Sequence, residues 1–136
     1  MLLRSCLAAL AVILSVAAAP ARAAVCHDKS MTQDEIIDAI KAEPGCEAAM
    51  KVFRDCEYGA SGDVLLGDAV EKKCEADFLP GLKSAQKKTY GRELDRCDAK
   101  YRNESGTMYR SFTAFCRAEV SLRYSRKALK AGPKAR

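Results

Sequence analysis

Seven cysteines in a chain of 136 residues constrain this protein more than any other feature of its sequence. Such a density is typical of small disulfide-stabilised proteins in oxidising compartments and of metal-binding domains, so the compartment has to be identified first. The length fits one domain, and an apolar share of 49% is enough for a core. Composition therefore excludes a multidomain enzyme and a low-complexity or highly charged disordered chain.

The N-terminus has the pattern of a secretory signal peptide. Arg4 supplies a positive charge, residues 6–19 form an apolar run, and small residues flank a cleavage site after Ala23. The alternative is a transmembrane anchor, which needs roughly 20 apolar residues, whereas Pro20 and Arg22 end this run early. We therefore predict a leader over residues 1–23 and a periplasmic or secreted mature protein.

Cleavage after Ala23 removes Cys6 and leaves an even set of six cysteines in residues 24–136. In an oxidising compartment this set predicts up to three disulfides. Zinc binding is the alternative, but no two cysteines have the C-x₂₋₄-C spacing, and His27 is the only histidine. We expect no metal and no cofactor. The six cysteines are Cys26, Cys46, Cys56, Cys74, Cys97 and Cys116.

Helical periodicity runs through the mature chain, with Pro and Gly residues between the helical segments. No segment shows the alternating pattern of a strand. The predicted fold class is all-α, a small disulfide-linked bundle of about five helices in one domain, residues 24–136, with a basic tail at about residues 125–136. The predicted helices begin at a capping box of Thr32 and Glu35, at Cys46, at Asp63 as N-cap, at Ser84 as N-cap, and at Thr107.

The apolar spacing also predicts which residues face the core. In the second helix these are Cys46, Ala49, Met50, Phe53 and Cys56, and in the third Leu66, Val70, Cys74 and Phe78. In the fourth they are Tyr90, Leu94, Cys97 and Tyr101, and in the fifth Met108, Phe112, Phe115, Cys116, Val120 and Tyr124. Every cysteine of these four helices faces inward in this prediction, so each could tie one helix to another.

Turn positions suggest how the cysteines pair. Cysteines about equally far from a turn can bridge two antiparallel helices, because their Cα atoms then lie within about 7 Å. Cys46 and Cys74 are centred on the turn at residues 59–62, and Cys97 and Cys116 are centred near Gly106. This leaves Cys26 to pair with Cys56.

Charge is segregated along the chain. Residues 24–42 carry 2 basic and 4 acidic groups, residues 43–77 carry 4 and 9, and residues 78–136 carry 15 and 5. One interpretation is that the basic half meets an anionic lipid, cell-wall polymer or nucleic acid, and export argues against nucleic acid. The other is a solvated helix surface in which i,i+4 ion pairs neutralise the charge. The alternating charges are Lys87, Lys88, Arg92, Arg96, Lys100 and Arg102 with Glu93, Asp95 and Asp98.

Residue patterns of catalytic sites are missing from the sequence. The single histidine, His27, precedes the predicted bundle, and the chain lacks G-x-S-x-G, H-E-x-x-H, C-x-x-C and a phosphate-binding glycine loop. Paired carboxylates such as Asp34 and Glu35 are explained by helix capping. We therefore expect a protein that is not an enzyme.

Four stretches of the C-terminal half form a recognisable pattern. They are residues 82–90 (LKSAQKKTY), Arg96-Cys97, residues 105–109 (SGTMY), and Cys116 with Arg123. This pattern resembles the lysozyme inhibitor LprI family, whose members show L-x-x-A-Q-x-x-W, a cysteine in the same helix, a Gly-rich turn and a further cysteine. The aromatic residue of this stretch is Tyr90, one position after the Trp of the family motif. The resemblance spans about residues 74–129 and implies an all-helical, disulfide-tied periplasmic or surface protein that binds a lysozyme and blocks its cleft.

Two functional hypotheses follow. The first is a binding module for an extracellular or periplasmic protein, with a lysozyme as the partner that the resemblance implies. Animal lysozymes are cationic, so docking would use the acidic residues 43–77. The second is a structural, envelope-associated protein whose basic C-terminal half rests on anionic lipid or cell-wall polymer. The candidate contacts for the first are Asp55, Glu57, Asp63, Asp68 and Glu71.

Overall fold

The structure, a computed structural model, describes Cys26 and residues 30–132. Five α-helices and one 3₁₀ turn make up these residues, with no strand among them, which confirms the all-α, disulfide-linked fold. The predicted leader, His27 and residues 133–136 lie outside the described residues. The elements are α1 (Gln33–Ala42), α2 (Cys46–Asp55), α3 (Asp63–Phe78), a 3₁₀ turn (Leu79–Gly81), α4 (Ser84–Lys100) and α5 (Thr107–Ala131).

Successive helices alternate in direction, as short connections favour. The start of α2 is joined to the end of α3 by the Cys46–Cys74 bridge, so these helices are antiparallel. The later part of α4 is joined to α5 by the Cys97–Cys116 bridge, while the earlier Tyr90 contacts the later Ser121. The helices α4 and α5 are therefore antiparallel as well.

As a result α3 and α5 run in the same direction, and they form the most extensive helix–helix interface of the described chain. Their contacts advance together along both helices: Ser111 donates to Asp63 near the two starts, and Ser125 donates to Asp77 near the two ends. Between these points Gly67 lies against Ala114. Because α3 also packs on α1 and α2, it is the central helix.

The predicted inward faces of α2 and α3 are confirmed. All nine predicted residues are buried, and one of them, Phe53, stacks on Phe115 of α5 with ring centroids 4.1 Å apart. On α4, Tyr90, Leu94 and Cys97 are buried as predicted, and Tyr101 is half-buried. The apolar spacing therefore identified the core side of these three helices.

The predicted disulfide pairing is confirmed. The Cα atoms are 5.3 Å apart in Cys26–Cys56, 4.5 Å in Cys46–Cys74 and 5.6 Å in Cys97–Cys116. The second and third bridges tie neighbouring antiparallel helices, and the first ties the segment before α1 to the end of α2. Each such crosslink stabilises a small domain by about 2–4 kcal/mol. Three disulfides also indicate an oxidising compartment.

The predicted capping is right for α1 and wrong for α3 and α4. At α1 the capping box is present, because the Thr32 amide donates to the Glu35 carboxylate and the Glu35 amide donates back to the Thr32 hydroxyl. At α4 the N-cap is Lys83, whose amide donates to the Gln86 side chain at 2.8 Å. Ser84 is the first residue inside the helix.

Asp63 is the first residue of α3 and not its N-cap. Its carboxylate points backward and accepts hydrogen bonds from the amides of Tyr58 and Gly59 at 2.8 and 2.9 Å. Gly59 has a φ of 67°, a conformation that favours glycine and turns the chain towards this carboxylate. Asp63 therefore anchors the α2–α3 turn and, through Ser111, the start of α5.

The predicted inner face of α5 is partly wrong. Met108 and Phe112 are 48% and 41% exposed, whereas Val120 is buried and Phe115, Cys116 and Tyr124 are half-buried. The row that faces α3 consists of small residues at heptad spacing: Ser111, Ala114, Ala118, Ser121 and Ser125. Prediction from large apolar residues missed this row. The helix also continues to Ala131, well into the predicted tail.

The contact between Gly67 and Ala114 gives a stability test. A Cβ at Gly67 would lie 2.9 Å from the Ala114 Cβ and 3.1 Å from its carbonyl oxygen, so Gly67→Ala must push α3 and α5 apart. We expect a loss of about 1–3 kcal/mol in the free energy of unfolding, measured in urea. Gly91→Ala on α4 is the matched control, because a Cβ there has no neighbour within 4 Å. It should gain up to about 1 kcal/mol, and equal effects at both positions would contradict the packing.

Candidate functional site

The five acidic residues predicted to contact a partner do not form one surface. Asp63 is completely buried and its carboxylate is occupied by the turn and by Ser111, so it cannot contact a partner. Glu71 is half-buried and accepts two hydrogen bonds from the Arg117 guanidinium, at 3.0 and 3.1 Å. Burial raises the pKa of Glu71, against the lowering effect of Arg117. Neither residue offers a free carboxylate.

The other three acidic candidates are exposed but separated. Asp55 and Glu57 flank Cys56 at the end of α2 and line, with Tyr58, a groove of about 360 Å³ beside the Cys26–Cys56 bridge. Asp55 also pairs with Lys51 at 2.6 Å. Asp68 lies elsewhere, in a cleft of about 330 Å³ between α3 and α5. The acidic surface is therefore smaller than the sequence predicted.

A row of basic residues runs along the outside of α4. We use "basic row" for Lys88, Arg92, Arg96 and Lys100. Residues four apart lie on one face of a helix, about 6 Å from each other, so the row spans about 18 Å. All four side chains are exposed. Within residues 30–132 none of them forms an ion pair, and Arg92 donates only to the Thr89 hydroxyl at 3.0 Å.

The expected i,i+4 ion pairs of α4 are not formed, because two of the acidic residues of the helix face α5 instead. Glu93 accepts hydrogen bonds from Arg123 and from the Tyr124 hydroxyl, the latter at 2.6 Å. The Tyr124 hydrogen bond, followed by Arg123, lowers the pKa of Glu93. Asp98 pairs with Arg117 at 2.8 Å. These two acids are therefore bound to α5, and the third acid of the helix, Asp95, is exposed and forms no ion pair within the described residues.

Half of the six basic residues of α5 form ion pairs within the described chain, and those that do not are Arg110, Lys127 and Lys130. A groove of about 580 Å³ lies between α5 and Arg54 of α2, where Arg126 is bound to Glu47 and Arg54 lies 3.7 Å from Glu119. Of the described residues around this groove, Lys127 and Lys130 form no ion pair. The basic row is therefore the longest run of unpaired positive charge on the described surface. The four-residue spacing of these basic residues is visible in the sequence, but charges counted over long segments do not reveal it.

The first part of the resembling pattern, residues 82–90, contributes to one side of a groove of about 740 Å³. Leu82, Ala85 and Gln86 form one side, where the chain enters α4, and Tyr124 and Ala128 of α5 form the other. Tyr90, the last residue of this stretch, is buried beneath this region. Its hydroxyl bonds to Ser121 at 2.7 Å and donates to Glu75 at 3.0 Å. Tyr90 is therefore a core residue that links α3, α4 and α5.

The described residues contain neither a metal-binding cluster nor a membrane-spanning helix. Among Cys26 and residues 30–132, His, Cys, Asp and Glu side chains form no cluster of three or more that could hold a metal ion. In the same part of the chain, no helix has the length and apolarity needed to span a bilayer.

Comparisons of the chain with protein-family models, with curated proteins and with solved structures found no match. The candidate site therefore rests on its own geometry, above all on the exposed and unpaired row of α4.

Burial raises the pKa of the Tyr90 hydroxyl, so the folded protein keeps this group protonated above its unfolded pKa of about 10. The free energy of unfolding should therefore fall as the pH rises above about 10, because the unfolded chain then loses the Tyr90 proton while the folded protein still holds it. Tyr90→Phe should lose about 1 kcal/mol near neutral pH, and its stability should fall less steeply than that of the wild type in alkaline solution. Urea unfolding across this pH range checks both effects.

The control for this experiment is Tyr58→Phe, at an exposed position. Its free energy of unfolding should depend on alkaline pH as that of the wild type does. Parallel alkaline curves for Tyr90→Phe and the wild type would contradict the buried position of the hydroxyl.

Proposed function

We propose that this protein is an exported, disulfide-stabilised helical binding protein that attaches to an anionic component of the bacterial envelope through the basic row. The observation that carries the proposal is the row itself, four exposed cations at four-residue spacing without an ion pair in the described chain. The leader pattern and the three disulfides support export to an oxidising compartment.

The shape of the row suits an extended anion. Four positive charges about 6 Å apart along one helix face match a surface or chain with repeated negative charges better than a small molecule, which needs a concave pocket. Arg and Lys bind phosphate and carboxylate groups with charge-assisted hydrogen bonds. Since the row is exposed, its attraction is screened by salt, so binding should weaken as ionic strength rises.

The rest of the charge distribution supports the same orientation. Acidic side chains are exposed on α1 and just after the end of α2, among them Asp34 and Glu57. An anionic surface repels these acidic side chains and attracts the basic row. The protein would therefore bind with α4 facing the surface and α1 and α2 facing away from it.

Neutralising the row tests the proposal. We expect the mature protein to be retained on anionic vesicles or anionic wall polymer at low salt and released at high salt. The variant K88Q/R92Q/R96Q/K100Q should bind at least about a hundredfold more weakly, because a residue near an anionic surface contributes about 1 kcal/mol. Cosedimentation measures the bound fraction.

The matched control is K41Q/K51Q/K72Q/K73Q, which removes the same number of positive charges from α1, α2 and α3. Binding reduced equally by both variants would mean that only net charge matters. Binding unaffected by neutralising α4 would contradict the assignment of the site.

A second candidate function is inhibition of a lysozyme. It is supported by the resemblance to the LprI family and by one structural observation: Asp55, Glu57 and the 47% exposed Tyr58 lie together beside a groove. Exposed carboxylates next to an aromatic ring suit a cationic protein partner, since Tyr is enriched in protein interfaces.

A turbidity assay of cell-wall hydrolysis tests this second candidate. The mature protein should slow a cationic lysozyme at near-stoichiometric amounts, and Asp55→Asn with Glu57→Gln should weaken the inhibition about tenfold. Asp95→Asn with Glu104→Gln, in the basic C-terminal half, is the control of equal charge change. The absence of inhibition at stoichiometric amounts, or equal inhibition by both variants, would contradict this function.

A further inference from the structure

We propose that the turn between α4 and α5 inserts into the headgroup region of an anionic lipid bilayer. This inference rests on the proposed function and names its partner: lipid, rather than a wall polymer. The inserting group, which we call the aromatic tip, consists of Tyr101, Met108, Tyr109 and Phe112.

The aromatic tip is a packed cluster of three rings at one end of the bundle. The Tyr101 ring lies 6.0 Å from the Tyr109 ring and 5.7 Å from the Phe112 ring, measured between centroids. Tyr109 and Phe112 meet edge to face at 5.9 Å. Such contacts give the cluster a defined shape.

The cluster is open to solvent. Met108 and Phe112 are 48% and 41% exposed, and the two tyrosines are half-buried. Both exposed residues were expected in the core, but the small-residue row of α5 faces α3 and turns them outward. Two of the five large apolar side chains exposed on the described surface therefore lie together, one helical turn apart.

Positive charge surrounds the aromatic tip. The Lys100 ammonium group lies over the Tyr101 ring, 5.0 Å from its centroid. Arg102 and Arg110 are exposed on either side of the turn, and within the described residues neither forms an ion pair. Glu104 is the acidic residue of the turn. The tip is therefore apolar at its centre and cationic around it.

This combination is complementary to an anionic bilayer interface. Aromatic rings concentrate at the level of lipid headgroups, and basic residues beside them bind anionic lipids. Lys100 belongs to the basic row and contacts the tip, so the two features form one continuous surface. A wall polymer or a soluble polyanion can pair with the cations, but it offers no hydrocarbon for Met108 and Phe112. The aromatic tip thus favours lipid.

The chain contains no tryptophan, so Phe112→Trp creates a single fluorescent reporter in the tip. With vesicles containing phosphatidylglycerol, its emission should shift to shorter wavelength and be quenched by brominated acyl chains. Leu129→Trp, at a 66% exposed position near the opposite end of α5, should show neither change. Pure phosphatidylcholine vesicles should leave both reporters unchanged, because the row then has no anionic partner.

Affinity measurements complete the test. Met108→Ser with Phe112→Ser should raise the Kd for phosphatidylglycerol vesicles about tenfold, because less apolar surface leaves water. The same variant should bind heparin, a polyanion without acyl chains, like the wild type. Leu129→Ser, near the opposite end of α5, removes another exposed apolar side chain and should leave vesicle affinity unchanged.

The possible failures can be told apart. Unchanged vesicle affinity of the tip variant, or an unshifted emission spectrum of the vesicle-bound Phe112→Trp variant, would overturn the tip proposal while leaving the basic row in place. If the tip variant loses heparin binding and vesicle binding equally, the aromatic tip only stabilises the basic row and does not insert into the bilayer. If the wild type binds anionic wall polymer but no anionic vesicle at low salt, the tip proposal is wrong and the proposed function stands. If it binds neither, both proposals are wrong.

Discussion

The close approach of α3 to α5 at Gly67 and Ala114 determines how the rest of the molecule is arranged. Two helices can come this near only where both contribute small side chains, and α5 provides them with Ser111, Ala114, Ala118, Ser121 and Ser125. Once this row faces α3, the direction of every other side chain of α5 follows from helical geometry. Phe115 meets α2, Cys116 and Tyr124 meet α4, and Phe112 points outward.

The same register decides which charges are neutralised. Arg123 of α5 forms an ion pair with Glu93 of α4. Arg117 forms ion pairs with Asp98 of α4 and Glu71 of α3. These ion pairs link helices, and they use acids that could otherwise have paired within α4. Glu93, three residues before Arg96, is thereby withdrawn from the basic row. The charge pattern of the surface thus depends in part on the packing of small residues in the interior.

Much of the fold could be predicted from the sequence. Helix positions, the core faces of α2 and α3 and the pairing of all three disulfides follow from apolar spacing and turn positions, since these depend on local geometry. The failures have one cause, which is that tertiary contacts compete with local patterns. Asp63 binds the preceding turn and Ser111 instead of capping α3, small residues replace Met108 and Phe112 in the core, and Glu93 pairs with α5. The candidate site was predictable as a basic half, but its unpaired state was not.

We propose that the functional surface of this protein is the outer face of α4 continued into the α4–α5 turn. Amide chemical-shift changes in the ¹⁵N-labelled mature protein, upon addition of nanodiscs that contain anionic lipid, test it most directly. We expect chemical-shift changes and line broadening to be concentrated in residues 88–112, with the amides of α1 and α2 unaffected at low salt. Changes concentrated in residues 33–58 instead would place the binding surface on the acidic side and contradict the account.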